Sequence, residues 1–199
     1  MLRLVVVPGF ATRATIWPKR FRESLEAQYS VEWVDRVEDA FEAPITSEAV
    51  LVGWSLGARV LAAHSRIAEA HRLITLGYHR SFGWGVPDQQ AALPAFIESF
   101  AEAPRETVRR FQHLSVRGEP VPREAFRQLA AAATPVNQID VNVLSLLADP
   151  MPNLAIPVTP LVGASDPLCQ LGGDRCLPGG HLGFLTDPER WASAILESI

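Results

Sequence analysis

Ala49-Val50-Leu51-Val52-Gly53-Trp54-Ser55-Leu56-Gly57-Ala58 decides how this chain is read. Its first four residues form an unbroken apolar run, as expected of a strand buried on both faces of a parallel sheet. A helical stretch over residues 58–67 follows the second glycine. Strand, sharp turn and helix in that order predict an elbow that pushes the Ser55 hydroxyl out of the sheet edge. Gly53 and Gly57 are then steric requirements, because two residues before and after the serine the backbone runs too close to its neighbours for a β-carbon. An ordinary glycine-rich loop would carry the same pentapeptide, and only its strand and helix flanks argue for the elbow.

Outward from this segment, strands are predicted over residues 2–7, 29–34, 72–76 and 158–163, with a brief one over 175–177. A short helical stretch starts near Ile16-Trp17, and a helix closes the chain over 188–199. Between the fourth and fifth strands the alternation stops. Residues 87–147 read as helices only, including 90–100, 105–116 and 123–133, and the insert over about 83–147 has the look of a lid. Strands alternating with helices predict an α/β domain with a mostly parallel, doubly wound sheet, its reactive groups at the carboxyl ends of strands. With 199 residues and 48% apolar content, residues 1–199 fit one domain with a sizeable core, and a second independent domain is not expected.

Charge and composition exclude several classes. A formal net charge of −4 lacks the basic excess of nucleic-acid-binding proteins. The apolar start meets Pro8-Gly9 too soon to cross a bilayer or act as a secretory signal, so a cytoplasmic protein without membrane contact is expected. Cys169 and Cys176 lack metal-ligand spacing and are expected as free, buried thiols. The chain has no His-x-x-x-His pair, no Walker loop and no Gly-x-Gly-x-x-Gly fingerprint, so neither a metal nor a cofactor is expected.

A serine hydroxyl needs a base to take its proton during attack on a carbonyl. Of the five histidines, His181 best suits that role, because it follows a late strand on the turn Gly179-Gly180-His181-Leu182-Gly183. His79, after the fourth strand, is the rival. Asp166 follows the fifth strand and would hold the imidazole in the right tautomer. Ser165-Asp166-Pro167 also reads as a simple turn, with Asp140 and Asp174 as fallback acids. Negative charge on a tetrahedral intermediate needs backbone donors. Leu56 N–H, next to the nucleophile, and Phe10 N–H, after Pro8-Gly9, are the candidates. The order Ser, Asp, His is that of the α/β-hydrolases.

Together, Val52-Gly53-Trp54-Ser55-Leu56-Gly57-Ala58, Pro8-Gly9-Phe10-Ala11 with Trp17 beyond it, and Glu106-Thr107-Val108-Arg109-Arg110-Phe111-Gln112-His113-Leu114 resemble the pimeloyl-acyl-carrier-protein methyl ester esterases of biotin synthesis. The resemblance implies an α/β-hydrolase fold with reduced leading strands and a helical lid. It places the catalytic residues on Ser55, Asp166 and His181 and the oxyanion donors on Phe10 and Leu56. By the same resemblance Phe111, Gln112, His113, Leu114 and Ser115 would touch substrate. The implied reaction is hydrolysis of the methyl ester of pimeloyl-acyl-carrier-protein, releasing methanol.

The implied partner is the acidic acyl carrier, which Arg105, Arg109, Arg110, Arg117, Arg123 and Arg127 could dock, with the enzyme itself a monomer. Interleaved Glu98, Glu102, Glu106, Glu119 and Glu124 equally suit a solvated, salt-bridged helix surface. The chain departs from the family pattern in three places. Pro8 stands where a histidine usually precedes the oxyanion glycine, the leading strands are missing, and the interval from Asp166 to His181 is short. Two other functions fit the residues. One is a general short-chain carboxylesterase; the other is a non-catalytic binding protein with Trp17, Trp54, Phe82 and Trp84 around its ligand.

Overall fold

The computed structural model describes residues 2–172 and 176–199. Six strands form one sheet in the order β2-β1-β3-β4-β5-β6, with every pairing parallel. They are β1 (Arg3–Val7), β2 (Ser30–Trp33), β3 (Ala49–Trp54), β4 (Arg72–Leu76), β5 (Val158–Gly163) and β6 (Cys176–Leu177). The chain leaves β1 for the edge strand β2, then crosses back to β3 on the other side of β1. That reversal opens a crevice at the carboxyl ends of β1 and β3, where α/β sheets bind ligands. Of the brief last strand, Cys176 and Leu177 are in place, while Arg175 lies outside the described residues, as does Asp174.

Side-chain alternation along the strands divides the core in two. Leu4, Val6, Val50, Val52 and Trp54 point to the face covered by α1 (Lys19–Glu26) and the C-terminal helix α8 (Pro188–Leu196). Val5, Val7, Ala49 and Leu51 point to the opposite face, under α2 (Leu56–Ala62) and the 3-10 segment Val37–Glu42. Strand β3 is buried along its whole length, which explains its lack of polar alternation. Truncating Leu51 to alanine there should cost about 2–5 kcal/mol. Helix α2 ends at Ala62, short of the predicted residue 67, and a separate 3-10 turn occupies Ile67–Glu69.

Between β4 and β5 the chain forms α3 (Pro87–Glu102), α4 (Pro104–Ser115), α5 (Pro122–Ala131) and the short α6 (Val141–Ser145). The short α7 (Gly183–Thr186) follows β6. Four of the helices, α3, α4, α5 and α8, open on a proline. At the first helical position proline gives up an N–H that has no intrahelical acceptor, and its fixed φ suits the turn. Helices α3 and α4 pack with α2 into one half of the core, whereas Ala125 and Leu129 of α5 join the other half. The insert therefore spans the carboxyl end of the sheet and contacts both layers.

Candidate active site

The elbow is built as its glycines require. A β-carbon on Gly57 would lie 2.3 Å from Pro8 O, and one on Gly53 would lie 2.5 Å from the Ala58 backbone. Only glycine lets the loop after β1 meet the start of α2. Between them Ser55 is held at φ 53°, ψ −120°, a conformation that costs a residue with a side chain about 1–3 kcal/mol. Its amide extends the sheet pairing by donating to Leu76 O at 2.8 Å. The residue retains 7% of its surface exposed.

The same extension of the ladder gathers the neighbouring loops. Gly77 N–H donates to Leu161 O at 2.9 Å, Ala164 N–H to Leu177 O at 2.8 Å, and Ser165 N–H to Gly179 O at 3.0 Å. The loops after β4, β5 and β6 are thus zipped together one residue or two beyond the strands. This zipper brings Asp166 against His181, with Oδ2 2.9 Å from Nδ1 and both side chains essentially buried. Asp166 Oδ1 also accepts from Leu168 N–H at 2.7 Å and Cys169 N–H at 3.0 Å. Ser165-Asp166-Pro167 is therefore both a turn and the seat of an imidazole partner. With Nδ1–H donated to the carboxylate, the network assigns the lone pair to Nε2. Nε2 is buried and has no hydrogen-bond partner among the described residues, so the Ser55 hydroxyl does not yet reach it. Such bonds are commonly long before substrate arrives.

Trp54 fixes the imidazole loop to the elbow. Its indole N–H donates to His181 O at 3.0 Å, and the two rings lie 5.6 Å apart. Trp17 and Trp54 are otherwise packed with Phe184, and Trp17 stacks on Phe21, so both belong to the core rather than to a ligand cavity. The rival His79 has no carboxylate partner among the described residues, and its ring stands edge-on to Trp84. Burial, then nearby Arg80, lowers its pKa from the ordinary histidine value. Asp140 caps the exposed start of α6 instead of meeting an imidazole.

Phe10 and Leu56 lie on the two loops that meet at Gly57. Leu56 opens α2, so its N–H has no intrahelical acceptor, and the Phe10 N–H has no backbone partner among the described residues. The Phe10 ring touches the insert, with Phe96, Phe100 and Phe111 edge-on at 5.5–5.6 Å. Phe82, Phe96, Phe111 and Leu114 in turn line an apolar cavity of about 260 Å³. Gln112 and Ser115 are buried, and Ser115 Oγ is spent on Phe111 O at 2.9 Å. His113 faces away from this cavity, exposed and stacked on Phe126 at 4.4 Å.

A broader groove of about 1180 Å³ runs along α4 and is lined by Arg105, Arg109, Val108, Phe126 and Val136. Neither arginine has an ion-pair partner among the described residues, whereas Arg110 pairs with Glu106 and Arg127 with Glu124. Arg117 and Arg123 are exposed. Glu119 corrects the expectation of a solvated glutamate series: it is buried, and its carboxylate faces the His181 loop. It belongs to the non-helical link between α4 and α5, which periodicity cannot assign to a face. Cys169 is buried as expected, with its thiol pKa raised by burial and then by Asp166, but Cys176 is only half-buried; both are free. No group of metal-ligating side chains occurs among the described residues.

No family model matches the chain. It is similar to a curated pimeloyl-[acyl-carrier protein] methyl ester esterase from Aromatoleum aromaticum, 28% identical over a 190-residue alignment that covers 79% of this chain and 76% of the relative. Among solved structures, an esterase from Exiguobacterium antarcticum superposes with a TM-score of 0.69 at 15% identity, covering 100% of this chain and 91% of the other. A thermophilic esterase from Thermogutta terrifontis gives 0.71 at 19% identity, covering 99% and 89%. The chain has the α/β-hydrolase fold. In this fold Ser55 directly follows β3, Asp166 lies beyond β5 and His181 beyond β6. No described helix is long and apolar enough to cross a membrane.

Proposed function

We propose that the chain is a serine carboxylesterase acting on the methyl ester of an acyl chain borne by acyl carrier protein, with pimeloyl the acyl group. The buried Asp166–His181 pair beside a strained serine turn carries the reading. His181 Nε2 takes the Ser55 proton as Oγ attacks the ester carbonyl, and Asp166 stabilises the imidazolium. The Phe10 and Leu56 amides receive the negative charge of the tetrahedral intermediate; one such donor contributes about 3–4 kcal/mol. Collapse expels methanol, which takes its proton from His181, and water then cleaves the acyl-enzyme by the same route.

The named relative supports the finer substrate. Two features of the insert fit it. The cavity bounded by Phe82, Phe96, Phe111 and Leu114 adjoins Phe10, so an apolar chain there would lie next to the oxyanion amides. The groove bearing Arg105 and Arg109 offers unpaired positive charge to an acidic carrier. On this reading the insert is a lid that holds the carrier at its outer rim and admits only the distal ester.

The test is growth of a biotin-requiring strain lacking its own esterase. Wild type should restore growth and Ser55→Ala should not. Reversing Arg105 and Arg109 to Glu should raise KM for carrier-bound substrate while leaving a small ester unaffected. Turnover of short esters without rescue would leave a general carboxylesterase. Absence of Ser55-dependent turnover on any ester would leave a binding protein.

A further inference from the structure

Glu119 is 5% exposed and has no cation within ion-pair distance among the described residues. A buried carboxylate without a counter-charge persists only where donors converge on it. Here three do. Oε1 accepts from Gly180 N–H at 3.1 Å and Leu182 N–H at 2.7 Å, and Oε2 accepts from Thr186 Oγ1 at 2.8 Å. The two amides are those immediately before and after His181. The preceding residue Gly118, at φ +87°, abuts the acid loop so closely that a β-carbon would fall 1.9 Å from Ser165 O. Two consecutive residues between α4 and α5 therefore brace the loops carrying Asp166 and His181.

We propose that Glu119 is a positioning residue for His181, so that the helical insert sets the geometry of the serine, histidine and aspartate as well as covering them. The need for such a brace follows from the sequence of the base loop. Gly179 and Gly180 precede His181, Gly179 at φ +96°, and successive glycines leave a backbone free to drift. Trp54 restrains the carbonyl of His181 and Asp166 its ring; Glu119 restrains the peptides on either side. A displacement of α4 would reach His181 through this contact. The inference rests on His181 being the base proposed above.

The test compares Glu119→Asp and Glu119→Gln with wild type. Aspartate keeps the charge but is one methylene too short to span all three donors; glutamine keeps the reach and loses the charge. Misplacement of a catalytic group by about 1 Å costs on the order of a hundredfold. We expect kcat on a chromogenic short-chain ester to fall about 10- to 100-fold in Glu119→Asp, with KM within about twofold, and to stay within about threefold in Glu119→Gln. The downfield proton of the His181–Asp166 hydrogen bond, read by NMR in a Ser55→Ala background, should shift or broaden in the Asp variant and persist in the Gln variant.

Thermal melting checks that both variants are folded. The proposal is overturned if Glu119→Asp keeps kcat and the NMR signal while only Tm falls, or if Glu119→Gln loses as much activity as Glu119→Asp. An NMR signal that responds as expected in a protein without Ser55-dependent turnover would sink the esterase and leave the positioning role intact.

Discussion

Gly77 offers a sharp test of the site, because it is the floor under the Asp166–His181 pair. A β-carbon placed on it would lie 2.8 Å from His181 Nδ1, 3.0 Å from Cε1 and 3.1 Å from Asp166 Oδ2. The nearest approach falls about 0.6 Å short of ordinary contact, so something must move. Little can. The imidazole is backed by Trp54 and its carbonyl is tied to the indole, while the carboxylate is held by the Leu168 and Cys169 amides. The methyl group of Gly77→Ala therefore presses from below on two groups 2.9 Å apart, and the bond between them is distorted. Loss of imidazole orientation lowers kcat by up to about 10⁴ when the acid is replaced outright. A displacement of several tenths of an ångström should cost about 10- to 100-fold, with KM within about twofold.

Stability should fall as well. Gly77 sits at φ +59°, where alanine costs about 1–2 kcal/mol before any clash, and a total near 2–3 kcal/mol is expected. Steady-state hydrolysis of a chromogenic ester, corrected by active-site titration, separates lost catalysis from lost folded protein. Urea unfolding supplies the stability. A folded Gly77→Ala protein with kcat within about threefold of wild type would refute the reasoning, since the pair would then tolerate a side chain against its hydrogen bond.

Two further substitutions test strain and burial nearby. Ser55→Gly should be more stable than Ser55→Ala by about 1 kcal/mol, because it releases the φ 53° strain and recovers more than the extra backbone entropy of glycine. Both lose activity, and equal urea midpoints would show the elbow to be unstrained. Tyr78→Phe should stabilise the protein by about 1 kcal/mol, since the Tyr78 hydroxyl is buried without a partner among the described residues, its pKa pushed up to about 12 chiefly by that burial. A loss of stability in Tyr78→Phe would mean that the hydroxyl has a partner.

Much of this architecture is written in local pattern. The apolar run before Gly53, the glycine spacing around Ser55 and the strand 72–76 announce themselves within a few residues, because burial on two faces and tight turns constrain neighbours in sequence. Proline marks four helix starts for the same local reason, although periodicity alone placed three of them one to three residues late. Ser55, Asp166 and His181 could be chosen by type and by position after strands. The contact between Asp166 and His181 could not, since it depends on backbone bonds that zip together loops as far as 84 residues apart.

Glu119 shows where local reading ends. Among alternating arginines and glutamates it has the composition of a solvated surface, and although Gly118 and Pro120 mark it as a loop residue, nothing in its neighbourhood announces that it is buried. Folding places it 61 to 67 residues away from its donors Gly180, Leu182 and Thr186, under a loop that needs bracing. Local sequence specifies which groups can react, because reactivity belongs to side-chain type and turn geometry. Long-range packing specifies which of them meet and how firmly they are held, because those bonds form only when distant segments are buried together.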